Sequence, residues 1–330
     1  MDRGGETRRF LTGALLAAAC ASALAAAATQ APLRAARWLP PERRLPALAQ
    51  APSECLAPND DPQTARRIAI GRAAFRTPLL LGGQAARAGL SCDSCHRNGR
   101  GNPDFSFAGL SGAPGTADVT SSLMSSHRGD GVDNPTAIPD LAGPAQTLKV
   151  PKAREGRALE TFVRGLIVQE FDGPEPAALT LDGIAEYVRA VSSQACPPAQ
   201  SQPIALATYL SDARAAAQAA QYALDARDPA TAHLMLSAAR TALGMIDERY
   251  AAPEFARERR FLRDADLELA ALQHAVGAGR PDAASRIAAW LARMPRWGDP
   301  LRDREPESLF DRTRLAAALG GASAARSPGE

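Results

Sequence analysis

The sequence predicts a mostly α-helical fold in two parts, a loop-rich segment framed by helices and then an antiparallel helical domain. Three observations predict it. Alanine is heavily used and aromatic residues make up only 5% of the 330 residues, which favours helices packed through small side chains over aromatic-rich sheets. Along the second half, apolar residues recur at steps of three and four. Between 91 and 151, Gly, Pro, Ser and Asp replace that periodicity over a stretch too long for an ordinary connection.

Hydrophobic residues make up 45% of the chain, enough for globular cores and too little for a polytopic membrane protein. The formal net charge of +2 gives no reason to expect a nucleic acid or an anionic surface as partner. At the N-terminus, Arg3, Arg8 and Arg9 precede an apolar run from Phe10 to Ala28. Small residues then offer cleavage sites at Ala26-Ala27-Ala28 or Thr29-Gln30-Ala31. Residues 1–31 are read as a cleaved export signal, which places the mature protein in the periplasm. The alternatives tether it to a membrane, through an uncleaved signal or through lipidation at Cys20. Arg8-Arg9-Phe10-Leu11 also resembles a twin-arginine signal.

Residues 32–54 are rich in Pro, Ala and Arg without periodicity and read as a linker. Asp61-Pro62 opens a helix, with Asp as N-cap and Pro in the first turn. Ile68, Phe75 and Leu79 form its expected apolar face, and Gly82-Gly83 its expected end. Helical patterning returns at Arg154, with Leu159, Phe162, Val163, Leu166 and Ile167 on one face, until Asp172-Gly173-Pro174 breaks it. A further helix from Thr180 carries Leu181, Ile184, Ala185, Val188 and Val191 and stops at Cys196-Pro197-Pro198. That stop bounds a first domain at 55–198. A helical domain follows over 199–322, with a tail at 323–330. Its seams read Leu206, Leu210, Ala213, Ala217, Ala220, Leu224, then Ala232, Leu236, Ala239, Leu243, Ile246, Tyr250, then Leu262, Ala265, Leu269, Leu272, Val276. The junctions at Asp228-Pro229 and Arg280-Pro281 look alike, which suggests two related hairpins. They lie too far apart for a standard helical repeat.

The strongest motif is Cys92-Asp93-Ser94-Cys95-His96. Two thiols three positions apart add across the two vinyl groups of one haem, and the adjacent imidazole lies beneath the iron. A zinc site would need more Cys or His nearby, and a thioredoxin-like motif would want a strand before it and a helix after it. The motif therefore predicts one covalent haem c, with Cys92 and Cys95 as attachment points and His96 as proximal ligand. The first domain becomes a cytochrome c-type haem domain whose long loops pack on the haem. Of the five cysteines, Cys55 and Cys196 remain, one on each side of this segment. In an oxidising compartment they are expected to pair, closing a loop of about 140 residues.

The sixth iron position is open to several groups. His233 and His274 lie in the later domain. His127 and Met124 lie in the loop segment, so the distal ligand is His127, Met124, water or nothing. A loop carbonyl at Pro135 or Pro139 is expected to accept from the proximal His N–H and fix its tautomer.

Around the motif the chain resembles the bacterial dihaem cytochrome c peroxidase and MauG-type family. The resemblance rests on Ile70-Gly71-Arg72-Ala73-Ala74-Phe75, Leu80-Leu81-Gly82-Gly83 and Leu90-Ser91-Cys92 before the haem motif. After it come Ser126-His127-Arg128-Gly129-Asp130-Gly131-Val132-Asp133-Asn134-Pro135-Thr136 and Glu155-Gly156-Arg157-Ala158-Leu159-Glu160. It covers about residues 62–195 and implies that His127 is the distal ligand. The chain departs from the family in carrying no second Cys-x-x-Cys-His. Ser126 stands where a Gly is usual and Asp133 where an Arg is usual. Phe162 stands near the position of a Gln that assists peroxide cleavage, and Glu170 comes early for the accompanying Glu. The expected role is therefore electron transfer to an unidentified redox partner protein. Two readings compete with it. One is a peroxidase or MauG-like enzyme with an open distal face. The other is a haem-containing binding module that docks partners through its helical domain.

Overall fold

The structure, a computed structural model, describes residues 33–121, 123–127 and 131–324. The expected signal at 1–31 with Cys20, and residues 325–330 of the tail, lie outside these. Helices make up 63% and strands 4%, so the fold is mostly α. No helix among the described residues is long and apolar enough to cross a membrane.

The stretch expected as a linker belongs to the fold. It forms a short helix, α1 (Arg44–Ala49), and a strand, β1 (Gln50–Pro52). Strand β1 pairs antiparallel with a strand at Ser201–Pro203, Gln50 opposite Pro203. Leu33, Leu39, Ala47 and Leu48 pack around Leu315 of a terminal helix at Arg312–Ala324. These apolar residues are too few to show a period, yet each finds a partner far along the chain.

Asp61 caps helix α2 (Pro62–Phe75), accepting from the N–H groups of Gln63 and Thr64. Ile68, Ile70, Ala74 and Phe75 form its buried face. The helix ends at Phe75, earlier than expected, because Pro78 lacks the N–H that would continue it. Leu79, expected on its buried face, falls in a separate 3₁₀ turn and is 57% exposed. After helix α3 (Gly83–Ala88), Gly89 turns left-handed with φ 77°. The Cys-x-x-Cys-His segment follows as one turn, α4 (Cys92–Cys95).

From 97 to 157 the described residues form loops, 3₁₀ turns and one two-residue ladder between β2 (Thr116–Ala117) and β3 (Thr136–Ala137). Helix α5 (Ala158–Gly165) runs into a π turn at Leu166–Glu170. Helix α6 (Ala178–Ala190) then packs on α2. At their closest approach a Cβ on Gly71 would sit 1.9 Å from the Gly183 carbonyl oxygen, so both positions need glycine.

Past Ser201–Pro203, which is β4, four long helices form α7 (Leu206–Asp225), α8 (Pro229–Arg249), α9 (Ala256–Gly277) and α10 (Ala283–Arg304). Each packs on the next and α10 packs back on α7, so the four close on one another. Short connections make neighbours antiparallel. Alanines at 213, 216, 217, 220 and 223 let α7 lie close to α8, its most extensive contact. The two parts of the chain are not separate bodies. Helix α2 packs on both α7 and α8, and one apolar core runs from Trp38 to Leu301.

Candidate haem site

The Cys92–His96 turn is held by local hydrogen bonds. Ser91 N–H donates to Ser94 Oγ at 3.0 Å in a reciprocal capping box, and His96 N–H donates to the Cys92 carbonyl at 2.8 Å. This single turn puts Cys92, Cys95 and His96 on one side and Asp93 and Ser94 on the other. Asn98 (φ 54°) and Gly99 (φ 72°) then take the chain out of the turn. A Cβ on Gly99 would meet Val191 at 2.8 Å, which explains the glycine.

His96 Nδ1 lies 3.0 Å from the Pro139 carbonyl oxygen. A carbonyl only accepts, so the imidazole donates from Nδ1 and keeps the lone pair on Nε2. Pro139 is one of the two prolines expected in this role. The ring also lies beside Phe75, centroids 6.3 Å apart, and Phe75 meets Tyr187 edge-on at 5.1 Å. Burial pulls His96 down to about 4 despite the Pro139 acceptor, so the ring is neutral. Burial pushes both the Cys92 and Cys95 thiols up to about 12. A redox Cys-x-x-Cys works by the opposite shift, through a stabilised thiolate.

The carbonyl of Pro139 is itself anchored. Ile138 N–H donates to Gly115 O at 3.0 Å, and Leu141 N–H to Gly99 O at 3.1 Å. Arg100 Nε bonds both oxygens of Asp140, at 3.0 and 2.8 Å, and its Nη1 lies 3.2 Å from Cys55 Sγ. Cys55 and Cys196 form a disulfide with Cα atoms 4.1 Å apart.

Both distal candidates sit on the loop between β2 and β3. Asp118 ties its base, accepting from Thr120 N–H at 2.9 Å and from Asn134 N–H at 3.2 Å. Met124 is buried in the core. His127 has a side chain 62% exposed, with Nδ1 2.9 Å from Asp172 Oδ1. Asp172 also accepts from Ser126 N–H, and these bonds hold its carboxyl below its ordinary value. Ser125 Oγ donates to the Gln169 carbonyl in the π turn. The loop is thus pinned to the turn that follows α5, and His127 has its Nδ1 held by a carboxylate. Nothing in the sequence marked Asp172, which lies 45 positions away. Near the π turn, Phe162 lies under the Lys149 ammonium at 5.7 Å and Glu170 is buried. His233 and His274 are exposed on α8 and α9.

Behind the motif lies a charge network that the sequence did not reveal. Arg76 contacts Asp212 at 3.0 Å, Glu54 at 3.2 Å and Asp93 at 3.6 Å, and donates to Asn98 Oδ1 at 2.6 Å. Arg72 joins Glu54 at 2.9 Å and Asp212 at 2.5 Å, and Tyr187 OH donates to Glu54 at 2.8 Å. Asp93, between the two motif cysteines, is thereby connected to Asp212 on α7. Burial raises Glu54, but Arg76 and Arg72 outweigh it and hold the carboxyl below its ordinary value. The residues present fit a covalently attached haem: two neutral thiols on one turn, a neutral imidazole with a fixed tautomer, and apolar neighbours. No protein-family model matches the chain, and neither a curated protein nor a solved structure similar to it was found.

Proposed function

We propose that the chain is an exported monohaem c-type cytochrome that transfers electrons. The observation that carries this reading is the hydrogen bond from His96 Nδ1 to Pro139 O, beside two neutral thiols on the same turn. It leaves Nε2 as the iron-binding nitrogen and stops the ring from rotating. Cys92 and Cys95 would hold the haem as thioethers and His96 would be its proximal ligand. The haem supplies a one-electron change at iron. Phe75 packs beside the His96 ring and supplies an apolar neighbour. The resemblance to the dihaem peroxidase and MauG-type family supports the same assignment and points to His127 as distal ligand. Its Asp172 partner would orient that imidazole as the Pro139 carbonyl orients the other. The Cys55–Cys196 disulfide and the signal-like N-terminus support a periplasmic location. A redox partner protein is implied by the role.

The test is expression in a host that exports the chain and attaches haem c. Intact mass should rise by one haem, and an alkaline pyridine spectrum should report thioether-linked haem. The Cys92→Ala/Cys95→Ala double variant should lose both signals. Wild-type protein recovered without covalent haem from a host that matures a control cytochrome would sink the reading.

A further inference from the structure

A cavity of about 240 Å³ lies behind the haem motif, between α7, α8 and the N-terminal segment. Asp93, Ser94, Arg97 and Asn98 line it, whereas Cys92, Cys95 and His96 do not. It therefore occupies the face of the motif turn opposite the proposed haem. Much of its wall is apolar, including Trp38, Leu39, Leu48 and Met245.

Two arginines stand out in this wall. Arg249 is buried, 4% exposed, and lies over the Phe310 ring at 5.2 Å. It donates to the carbonyls of Leu309 (2.6 Å) and Leu48 (2.7 Å), but has no carboxylate within 4 Å among the described residues. Arg97 is half-buried and likewise has no carboxylate within that distance among the described residues. Both act electrostatically on the Tyr209 hydroxyl, which also lines the cavity. The carboxylates of the wall are already engaged. Glu248 is held by Arg34 through the backbone N–H at 2.8 Å and the guanidinium at 3.2 Å, while Asp93 and Asp212 belong to the Arg72–Arg76 network. Burying a guanidinium without a counter-charge is costly, and an anion in the cavity would remove that cost.

We propose that this cavity binds a small amphipathic carboxylate, its apolar body against Trp38, Leu48 and Met245 and its anionic head between Arg97 and Arg249. The site stands independently of the haem, because it uses the other face of the turn.

The experiment is calorimetric titration of the mature holoprotein with octanoate, and with octanol as the uncharged analogue, while the haem spectrum is followed. Octanoate should bind one per chain, with octanol about tenfold weaker or worse. Arg97→Gln should weaken octanoate roughly tenfold, and Arg97→Lys should retain most of the affinity. The haem spectrum should stay unchanged throughout. Because Arg249→Gln removes two backbone hydrogen bonds and endangers folding, Arg97 carries the test. No saturable octanoate binding, equal binding of octanol, unaltered binding in Arg97→Gln, or a haem spectral change on binding would each overturn the proposal. If the chain is recovered without haem, the same octanoate, octanol and Arg97→Gln titrations on that protein decide the proposal, and only the spectral arm is lost.

Discussion

The imidazole of His96 donates from Nδ1 to the carbonyl oxygen of Pro139 across 3.0 Å, joining residues 43 positions apart. The next residue, Asp140, is held in turn by Arg100, which lies against the Cys55–Cys196 disulfide. The His96 ring is thus oriented by a strut that reaches the Cys55–Cys196 disulfide.

Loosening the strut should change the iron potential without removing the haem. The Asp140→Ala variant frees Arg100 and the segment that carries Pro139. A weaker bond to Nδ1 makes the imidazole a poorer donor to ferric iron. The midpoint potential should rise on the order of 30 mV, which is ~0.7 kcal/mol for one electron. Potentiometric titration checks this, and an unchanged potential would show that the Pro139 bond does not depend on Asp140.

His127 should decide the spin state. The proposed wild type is low-spin, His127→Ala should become high-spin and bind CO on reduction, and Met124→Leu should remain low-spin. Asp172→Asn should stay low-spin with a raised potential, again on the order of 30 mV. Optical and EPR spectra separate these outcomes. A high-spin Met124→Leu with an unaffected His127→Ala would reassign the ligand to the thioether.

Removing the disulfide should destabilise the protein strongly. The bridged cysteines are separated by 141 positions, so the loop-entropy model gives roughly 4–5 kcal/mol. Urea unfolding of Cys55→Ala/Cys196→Ala should report most of that as a lower midpoint. A loss below ~1 kcal/mol would mean the core alone fixes this end of the domain.

The crossing of α2 and α6 should tolerate no side chain. In Gly71→Ala the new Cβ would clash with the Gly183 backbone, 1.9 Å away before relaxation. Separating the two helices should cost about 2–4 kcal/mol and lower the melting temperature. Gly244→Ala, inside α8 with nothing within 4 Å of its new Cβ, is the control and should keep or raise the melting temperature.

Acid should act through Glu54. Its carboxyl sits below the ordinary 4.5 because Arg76 and Arg72 outweigh the effect of burial. A lowered folded-state value contributes stability that is present above pH 4.5 and lost as pH falls through the folded value. Wild-type stability should therefore drop more steeply below that pH than that of Glu54→Gln. Parallel slopes in pH-dependent urea melts would remove Glu54 from the account.

The local features are legible from residue order alone. Cys92-Asp93-Ser94-Cys95-His96 dictates a single turn that presents two thiols and an imidazole together. Asp61-Pro62 and Asp228-Pro229 start helices because each supplies a cap acceptor and a pre-set φ. The seams of α7 to α9 are legible because a helix repeats its buried face every three or four residues. The rest comes from long-range packing, because those partners lie far apart in the chain and have no period to betray them. It selected Pro139 over Pro135, brought Asp172 to His127, and linked Asp93 through Arg76 to Asp212. It also drew residues 33–52 into the core, where Leu48 and Leu315 meet although neither belongs to a repeating pattern.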